Sequence, residues 1–352
     1  MSIKKLAAAC GASISALLPL TPAFAESAEC NAENISGRIT LTYLQGYAQS
    51  GAIPFNPGQE IVARVDCGAR LSVNLSYDIR ANEPYDYDGG RIETASLTYR
   101  AGDLQHPWSI TAGRLGEQRR LEALFGGPGG RPDAGARNVI VSLRADNPDI
   151  AGLRIQKSFA VSDEWNLSLD GSAFAATEVD TGLGRVADRA NSHDPSFTVK
   201  ATLSRGAYRF GVETGHIENG PSGDSAENYV GVFARFSEPI NDTLTWAGVA
   251  EIIDFNNHAN IAGQDRTLGV AYSHLEWQPQ GTRLALWGQL GLNIDSENDD
   301  MGFVEFGVRY DVVQSGDSAL SLFAAVSMRQ SLEGNQRTDL DPQIGFRLRR
   351  DF

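Results

Sequence analysis

The chain has 352 residues, with 44 acidic and 30 basic side chains and a formal net charge of −14 at pH 7. This acidity argues against nucleic-acid binding, which needs a basic surface, and is compatible with a surface that meets divalent cations. Length alone leaves open one large domain or two smaller ones.

The first residues have the pattern of a secretory signal peptide. Lys4 and Lys5 supply a positive start, residues 6–20 are apolar, and Ala23-Phe24-Ala25 has the small residues that flank a cleavage site. The apolar stretch is shorter than the roughly 20 residues that a spanning helix needs. We therefore predict a signal peptide over 1–25, whose removal makes the chain still more acidic. No later apolar run is long enough for a transmembrane helix.

Two cysteines follow the predicted cleavage site, Cys30 and Cys67. Cys30 lies in an N-terminal segment, 26–36, and Cys67 lies in the first predicted turn, so both should be on the same rim. In an exported protein the compartment oxidises thiols. Our hypothesis is that a disulfide pins the N-terminal segment to the strands, and two unpaired buried cysteines are the alternative.

From Gly37 onward apolar and polar residues alternate with a period of two. In the range 70–80 the odd-numbered residues are apolar and the even-numbered ones polar, and the same kind of split recurs over 196–203, 283–293 and 320–329. Alternation of this kind is typical of β-strands with one apolar face. A soluble β-sandwich alternates as well, with its apolar face directed inward.

Three features favour a membrane barrel over a sandwich. The predicted strands are about 10 to 12 residues long, as a tilted strand needs to cross a bilayer. Short connections alternate with long polar ones, which a barrel with periplasmic turns and outer loops explains. Aromatic residues cluster near strand ends, as interfacial girdles do: Trp108, Trp165, Tyr208, Phe236, Trp246, Tyr310 and Phe352.

A strand between each short turn and the next long loop predicts a transmembrane antiparallel up-and-down β-barrel over 37–352. The count is about 16 strands, an even number as single-chain bacterial barrels require. The ambiguous part is 137–160, where 138–143 and 153–160 both have strand character. We assign 137–148 to a long loop or to the extension of one strand.

The face of these strands that is predicted to line the lumen carries many charges. Those we assign to the lumen wall are Arg38, Arg64, Arg70, Asp78, Arg80, Arg100, Glu305 and Arg309. A dry core could not desolvate so many charges, so we expect a water-filled channel. The alternative, in which paired charges plug the barrel, suits a barrel of about eight strands better.

The last predicted strand resembles the assembly signal of outer-membrane barrels. Ile344, Phe346 and Leu348 alternate with polar residues, and the chain ends at Phe352. Arg350 departs from that signal, which usually has an apolar residue at this position.

The architecture resembles that of the general diffusion porins, the trimeric barrels of Gram-negative outer membranes. The resemblance rests on the opening strand Gly37–Tyr43, the fifth strand ending at Ala112-Gly113-Arg114, the long loop after it and Phe352. In that family the loop after the fifth strand folds inward and narrows the pore. The resemblance therefore implies a constriction at 116–148, where glycines in 126–130 would let the backbone approach a wall.

The charges at this predicted constriction have both signs and would set solute size and charge preference. They are Arg114, Glu117, Arg119, Arg120, Glu122, Arg131, Asp133 and Arg137. The alternative is an ordinary exposed loop.

These features predict an outer-membrane porin for passive diffusion of small hydrophilic solutes and ions. The expected partners are outer-membrane lipid and lipopolysaccharide, the barrel-assembly machinery, and two further copies of the chain in a homotrimer, with no nucleic acid. No cofactor is expected apart from candidate calcium or magnesium sites in acidic outer loops. These loops contain Glu83, Asp86 and Asp88, then Glu218, Asp224 and Glu227, and then Asp295, Glu297, Asp299 and Asp300.

Two other functions remain open. A substrate-selective channel could use Tyr229, Phe233 and Trp287 as an apolar track. An outer-membrane enzyme could use His193-Asp194, or Asp254 with His258, as an acid/base pair, but neither has a serine partner in a recognisable motif. We therefore expect no catalytic residues and no metal centre.

Overall fold

The structure is a computed structural model. It describes residue 30 and the ranges 34–46, 60–78, 91–104, 106–115, 151–175, 195–218, 226–257, 263, 265–297, 300–331 and 339–352. The predicted signal peptide and most of the predicted long loops lie outside these residues. None of the described segments forms a helix with the length and hydropathy that a membrane span requires.

The described residues form a closed antiparallel barrel in which each strand pairs with its neighbours in the chain. The strands are β1 (Ile35–Gly46), β2 (Glu60–Cys67), β3 (Leu71–Asp78), β4 (Arg91–Ala101), β5 (Trp108–Arg114), β6 (Ala151–Ala160), β7 (Asn166–Ala175), β8 (Pro195–Arg205), β9 (Tyr208–Ile217), β10 (Glu227–Asn241), β11 (Leu244–Asn256), β12 (Arg266–Trp277), β13 (Leu284–Asp295), β14 (Met301–Ser315), β15 (Ser318–Ser331) and β16 (Asp339–Asp351). The predicted 16-stranded barrel is confirmed. Its first strand begins at Ile35, two residues before the predicted start at Gly37.

The barrel closes where β1 pairs with β16. The backbone N–H of Gly37 donates to the carbonyl oxygen of Phe352 at 2.8 Å, and the N–H of Phe352 donates to the carbonyl oxygen of Gly37 at 3.0 Å. The ring of Phe352 lies over Gly37, where a Cβ atom would overlap it. The terminal residue is therefore part of the closing seam.

Short turns and long connections alternate around the barrel. The turns after β2, β8, β10 and β14 are only two or three residues long, and both ends of the barrel segment lie on the same rim as these turns. Long connections lie at the opposite rim. In bacterial barrels the short turns face the periplasm, so we call these the periplasmic rim and the outer rim.

Alternate residues face outward and inward. On β8, Phe197 and Val199 are exposed on the outer surface, whereas Ser196 and Thr198 point inward and are buried. Leu290, Phe306 and Ile344 are 62–63% exposed in the middle of their strands. A continuous band of exposed apolar side chains is unfavourable in water and is the normal lipid-facing surface of a transmembrane barrel. The barrel therefore spans the bacterial outer membrane.

Aromatic side chains mark the periplasmic end of this band, as predicted. Trp246 packs edge to face on Phe236, with ring centroids 4.5 Å apart. Its indole N–H donates to the hydroxyl of Ser273 at 2.8 Å. Such an amphipathic ring satisfies both the apolar and the polar side of a membrane interface.

The predicted disulfide is present between Cys30 and Cys67. Cys67 is the last residue of β2, at the periplasmic rim, and it is buried. The bond therefore attaches the residues before β1 to the second strand.

Candidate pore lining

One sector of the inner wall, on β16, β1 and β2, has more exposed positive than negative charge. Arg38 and Arg349 both bind Asp351, each with an N–O distance of 2.7 Å, and Arg64 binds Asp66 at 2.8 Å. The three arginine side chains are 40–50% exposed. We call these five residues the arginine sector. Its three guanidinium groups face two carboxylates, so it presents net positive charge to the lumen.

A second set of charges crosses the inner wall from β6 to β9. Arg154 on β6 forms an ion pair with Asp170 on β7. Asp170 is paired in register with Lys200 on β8, which is paired with Glu213 on β9, where Nζ and Oε2 are 3.7 Å apart. The signs alternate along this row, so the charges balance one another. This row therefore adds polar surface with no net charge.

The carboxylates on β14 are buried in the wall. Glu305 accepts a hydrogen bond from the side-chain amide of Gln289 at 3.1 Å and has no exposed surface. Asp311 accepts one from the hydroxyl of Ser321 at 2.7 Å and lies 3.0 Å from Nε of Arg309. Both face inward, as the alternation predicts, but they do not contact lumen water. Partners on neighbouring strands replace that water, as buried charges require.

A large apolar surface on the inner wall was not predicted. We call it the inner apolar patch, and its residues on β7 and on β9 to β12 are Phe174, Ile217, Tyr229, Val249, Ile253, Phe255, Leu268, Val270 and Tyr272. Each is at most 8% exposed. The sequence of β11 could have indicated this patch, because it is apolar on both faces of the strand. Such a run is typical of a strand that is covered on both sides.

The aromatic rings of β10 lie flat against the wall. Tyr229 covers Gly215 and Phe233 covers Gly211, where a Cβ atom would overlap each ring. The hydroxyl of Tyr229 donates to Oε1 of Glu213 at 2.7 Å. Glycines on β9 therefore provide the space that keeps these rings out of the lumen.

Two of the described candidate residues, His274 and Asp254, contact residues of the barrel wall. His274 is buried, stacks on Trp287 with centroids 5.8 Å apart, and lies 3.4 Å from Oε1 of Gln289. Asp254 accepts a hydrogen bond from Thr267 at 2.7 Å. The described part of the chain holds no cluster of three or more His, Cys, Asp or Glu residues placed to bind a metal ion. His193, Asp194 and His258 lie outside the described residues.

Several residues assigned to the pore lie at the rims. Arg70 follows β2 in a periplasmic turn, and its Nη1 donates to the carbonyl oxygens of Arg100 at 3.1 Å and Gly102 at 2.9 Å. Arg100 in turn donates to the carbonyl oxygen of Ala69 at 3.3 Å. Arg114 ends β5 at the outer rim. Arg70 and Arg100 therefore bind turn carbonyl groups across the periplasmic rim.

The other predicted constriction residues lie outside the described residues. They are Glu117, Arg119, Arg120, Glu122, Arg131, Asp133 and Arg137, and Arg80 of the predicted lumen wall lies outside them as well. Asp78 is the last residue of β3 and pairs in register with Glu60.

Comparison with known proteins gives structural matches only. No protein-family model and no curated protein matches the sequence. The outer membrane channel DcaP of Acinetobacter baumannii has a TM-score of 0.57 and 13% identity over 91% of this chain and 96% of that chain. An anion-selective porin from Comamonas acidovorans has a TM-score of 0.53 and 13% identity over 90% of this chain and 98% of that chain. OmpT of Vibrio cholerae, in its trimer form, has a TM-score of 0.51 and 9% identity over 90% and 98%.

At 9% to 13% sequence identity, these matches show similarity of fold alone. The strand count, the antiparallel up-and-down order and the closing pair of β1 with β16 agree with the architecture expected from the sequence. The chain therefore has the closed 16-stranded fold of outer-membrane porins.

Proposed function

We propose that the protein is a porin, a water-filled channel through which small hydrophilic solutes and ions cross the outer membrane passively. The observation that carries this proposal is the arginine sector, whose half-exposed guanidinium groups face the inside of a closed barrel of 16 strands. Barrels of about this strand number leave room for an aqueous channel. Exposed charges inside the barrel need that water.

Planar-bilayer recording with the purified protein tests this function. We expect stepwise current increases whose size scales with the salt concentration, and swelling of liposomes in small sugars that falls with sugar size. Heat-denatured protein is the control and should give neither signal. A correctly folded barrel that leaves the bilayer silent and the liposomes impermeable would contradict the proposal.

We further propose that the channel prefers anions. The support is the excess of one positive charge in the arginine sector, together with the balanced row from Arg154 to Glu213. Charges inside a pore act on each passing ion at short range. A reversal potential in a salt gradient that indicates cation preference would contradict this proposal without affecting the channel itself.

We also propose that residues 116–148 narrow the pore by packing on the inner apolar patch. The support is chemical, because the patch is apolar and this segment contains Leu121, Leu124 and Phe125. Packing these three side chains beside the patch would remove their own apolar surface from water. Replacing 117–147 by a short Gly-Ser linker should raise conductance and increase binding of an apolar fluorescent dye. Unchanged conductance and dye binding would contradict this arrangement.

We propose that the channel is not an enzyme. The support is that two described candidate residues, His274 and Asp254, bind residues of the wall. His274 binds the wall residue Gln289, and Asp254 binds Thr267. Ester or peptide hydrolysis by purified protein that survives repeated purification would overturn it.

We propose a homotrimer as the working form, supported by the trimer form of the similar OmpT structure. Native mass spectrometry should give three times the protomer mass, and a monomer in all detergents would contradict the proposal.

Export and assembly form the last part of the proposal. We propose that residues 1–25 are a signal peptide, that Phe352 is recognised by the barrel-assembly machinery, and that the outer loops contact lipopolysaccharide. The position of Phe352 in the closing seam supports its role in assembly. N-terminal sequencing should begin at Glu26, and deletion of Phe352 should lower the amount of assembled barrel. Sequencing that begins elsewhere would contradict the signal peptide, and normal assembly without Phe352 would contradict the assembly signal.

A further inference from the structure

A cation lies on the lipid-facing surface of β6. The alternation of this strand places Lys157 on the same face as Ile155 and Phe159, which are 40% and 38% exposed. The neighbouring Gln156 faces inward, where its side-chain amide donates to Ser168 at 3.4 Å. The stem of Lys157 therefore runs along the outer surface of the barrel.

Two aromatic rings hold the ammonium group of this lysine. Nζ of Lys157 lies 4.7 Å from the centroid of the Trp108 ring and 5.4 Å from the centroid of the Phe159 ring. A cation over an aromatic face is attracted by the ring quadrupole. The rings leave the N–H donors of the ammonium group available, because they supply faces and not acceptor atoms.

The described strands around Lys157 supply no negative charge on their outward faces. None of the described outward-facing side chains of β5, β6 and β7 is a carboxylate. By contrast with Lys157, the other lysine after residue 25, Lys200, faces inward, and its Nζ lies 3.7 Å from Oε2 of Glu213. Arg205, at the end of β8, pairs with Glu164 at 2.5 Å. On the described faces of β5 to β7, Lys157 therefore has no carboxylate partner of the kind that these two cations have.

The depth of Lys157 in the membrane identifies the source of a counter-charge. The residue lies three positions before Ala160, the last residue of β6, and Trp108 is the first residue of β5. Both positions are at the periplasmic rim, which is level with the inner-leaflet headgroups. A lysine near a strand end can extend its charge to that level.

We propose that Lys157 and Trp108 bind the phosphate of an anionic phospholipid in the inner leaflet. The ammonium group donates to the phosphate oxygens and balances their charge, and the half-exposed Trp108 offers its indole N–H as a further donor. A headgroup with its own ammonium is disfavoured, because Lys157 would repel it. Phosphatidylglycerol fits these requirements, and its acyl chains would lie along the apolar surface beside Ile155 and Leu169.

Native mass spectrometry in a non-ionic detergent tests this site. Folded protein is incubated with equal amounts of phosphatidylglycerol and phosphatidylcholine that have the same acyl chains. Wild type should retain phosphatidylglycerol about fivefold better than phosphatidylcholine. This ratio corresponds to the attraction expected between one lysine and an anionic headgroup. Lys157→Met should retain the two lipids equally, and Lys157→Arg should keep most of the preference. Arg205→Met is the control, because it removes an exposed cation that already pairs with Glu164, and it should behave as wild type.

The proposal is overturned if Lys157→Met keeps the preference, or if Arg205→Met loses as much of it. Displacement of phosphatidylglycerol by a modest excess of inorganic phosphate would also overturn it, because the site would then bind free anions. If Lys157→Met does not fold, wild type decides the question by itself. Its preference should fall as salt is raised, and a preference that does not change with salt contradicts the proposal.

Discussion

Nε of Arg38, in the first strand of the barrel, lies 2.7 Å from Oδ1 of Asp351, in the last. This ion pair crosses the seam at which β1 and β16 close the barrel. Arg349 binds the other carboxylate oxygen of Asp351 at 2.7 Å, so one acid serves two bases. The seam therefore has a structural role and also carries charge into the lumen.

Removing the two partners of this pair should change ion selectivity in opposite directions. Arg38→Ala deletes a positive charge and should shift the reversal potential toward cations, whereas Asp351→Asn should shift it toward anions. Arg350→Ala is the control, because Arg350 is adjacent in sequence but faces outward on β16. Both side chains of the pair are more than a third exposed, so either substitution should change the free energy of unfolding by less than about 1 kcal/mol. Equal shifts for Arg38 and Arg350 would mean that the arginine sector does not face the lumen.

Gly307→Ala should destabilise the barrel because a Cβ atom there would overlap the indole ring of Trp287. Overpacking of this kind costs about 1 to 3 kcal/mol. Gly171→Ala is the matched control, since an added Cβ atom there would meet nothing within 4 Å. Urea unfolding in lipid vesicles, followed by tryptophan fluorescence, measures both variants. Equal unfolding midpoints would contradict the described position of Trp287.

Glu305→Ala should also lower stability, because it leaves the amide of Gln289 without the acceptor that it has at 3.1 Å. An unsatisfied buried polar group costs about 1 to 3 kcal/mol. Asp317→Ala, in the exposed turn between β14 and β15, should have little effect. The same urea titration compares the two, and a larger loss for Asp317→Ala would show that Glu305 is not buried in the wall.

The disulfide between Cys30 and Cys67 should protect both thiols from maleimide until a reductant is added. The bond joins residues 37 positions apart and so reduces the conformational entropy of the unfolded chain. In the chain-entropy model this stabilises the folded barrel by about 3 to 4 kcal/mol. Cys30→Ser with Cys67→Ser should therefore unfold at lower urea concentration while the folded barrel still conducts. Labelling of both cysteines without reductant would show that the bond does not form.

The predicted constriction should control conductance and selectivity more than the acidic outer loops do. Deleting residues 125–130 should raise single-channel conductance, and Arg119→Ala with Arg120→Ala should shift selectivity toward cations. Asp299→Ala with Asp300→Ala should have little effect at high salt, because exposed charges are screened over about 8 Å at physiological ionic strength and over less at higher salt. If the aspartate pair shifts the reversal potential as much as the arginine pair, residues 116–148 do not form the constriction.

Much of the fold could be predicted from local patterns. Alternation with a period of two predicts the two faces of each strand, and short polar stretches predict the turns. The strand number and the apolar band therefore followed from residues that are close together in the sequence. The disulfide followed from the presence of just two cysteines after the predicted cleavage site. The outward position of Lys157 also follows from its place in the alternation.

The sequence by itself determined which side chains share a face, and only the tertiary structure decided which side chains meet across strands. The register places Lys200 opposite both Asp170 and Glu213, and it aligns apolar inward residues of β9 to β12 into one patch. It also buries Glu305, which as a sequence position looked like a charge in water. The physical reason is that alternation is a property of one strand, whereas register depends on turn geometry and on closure of β1 onto β16, which are non-local.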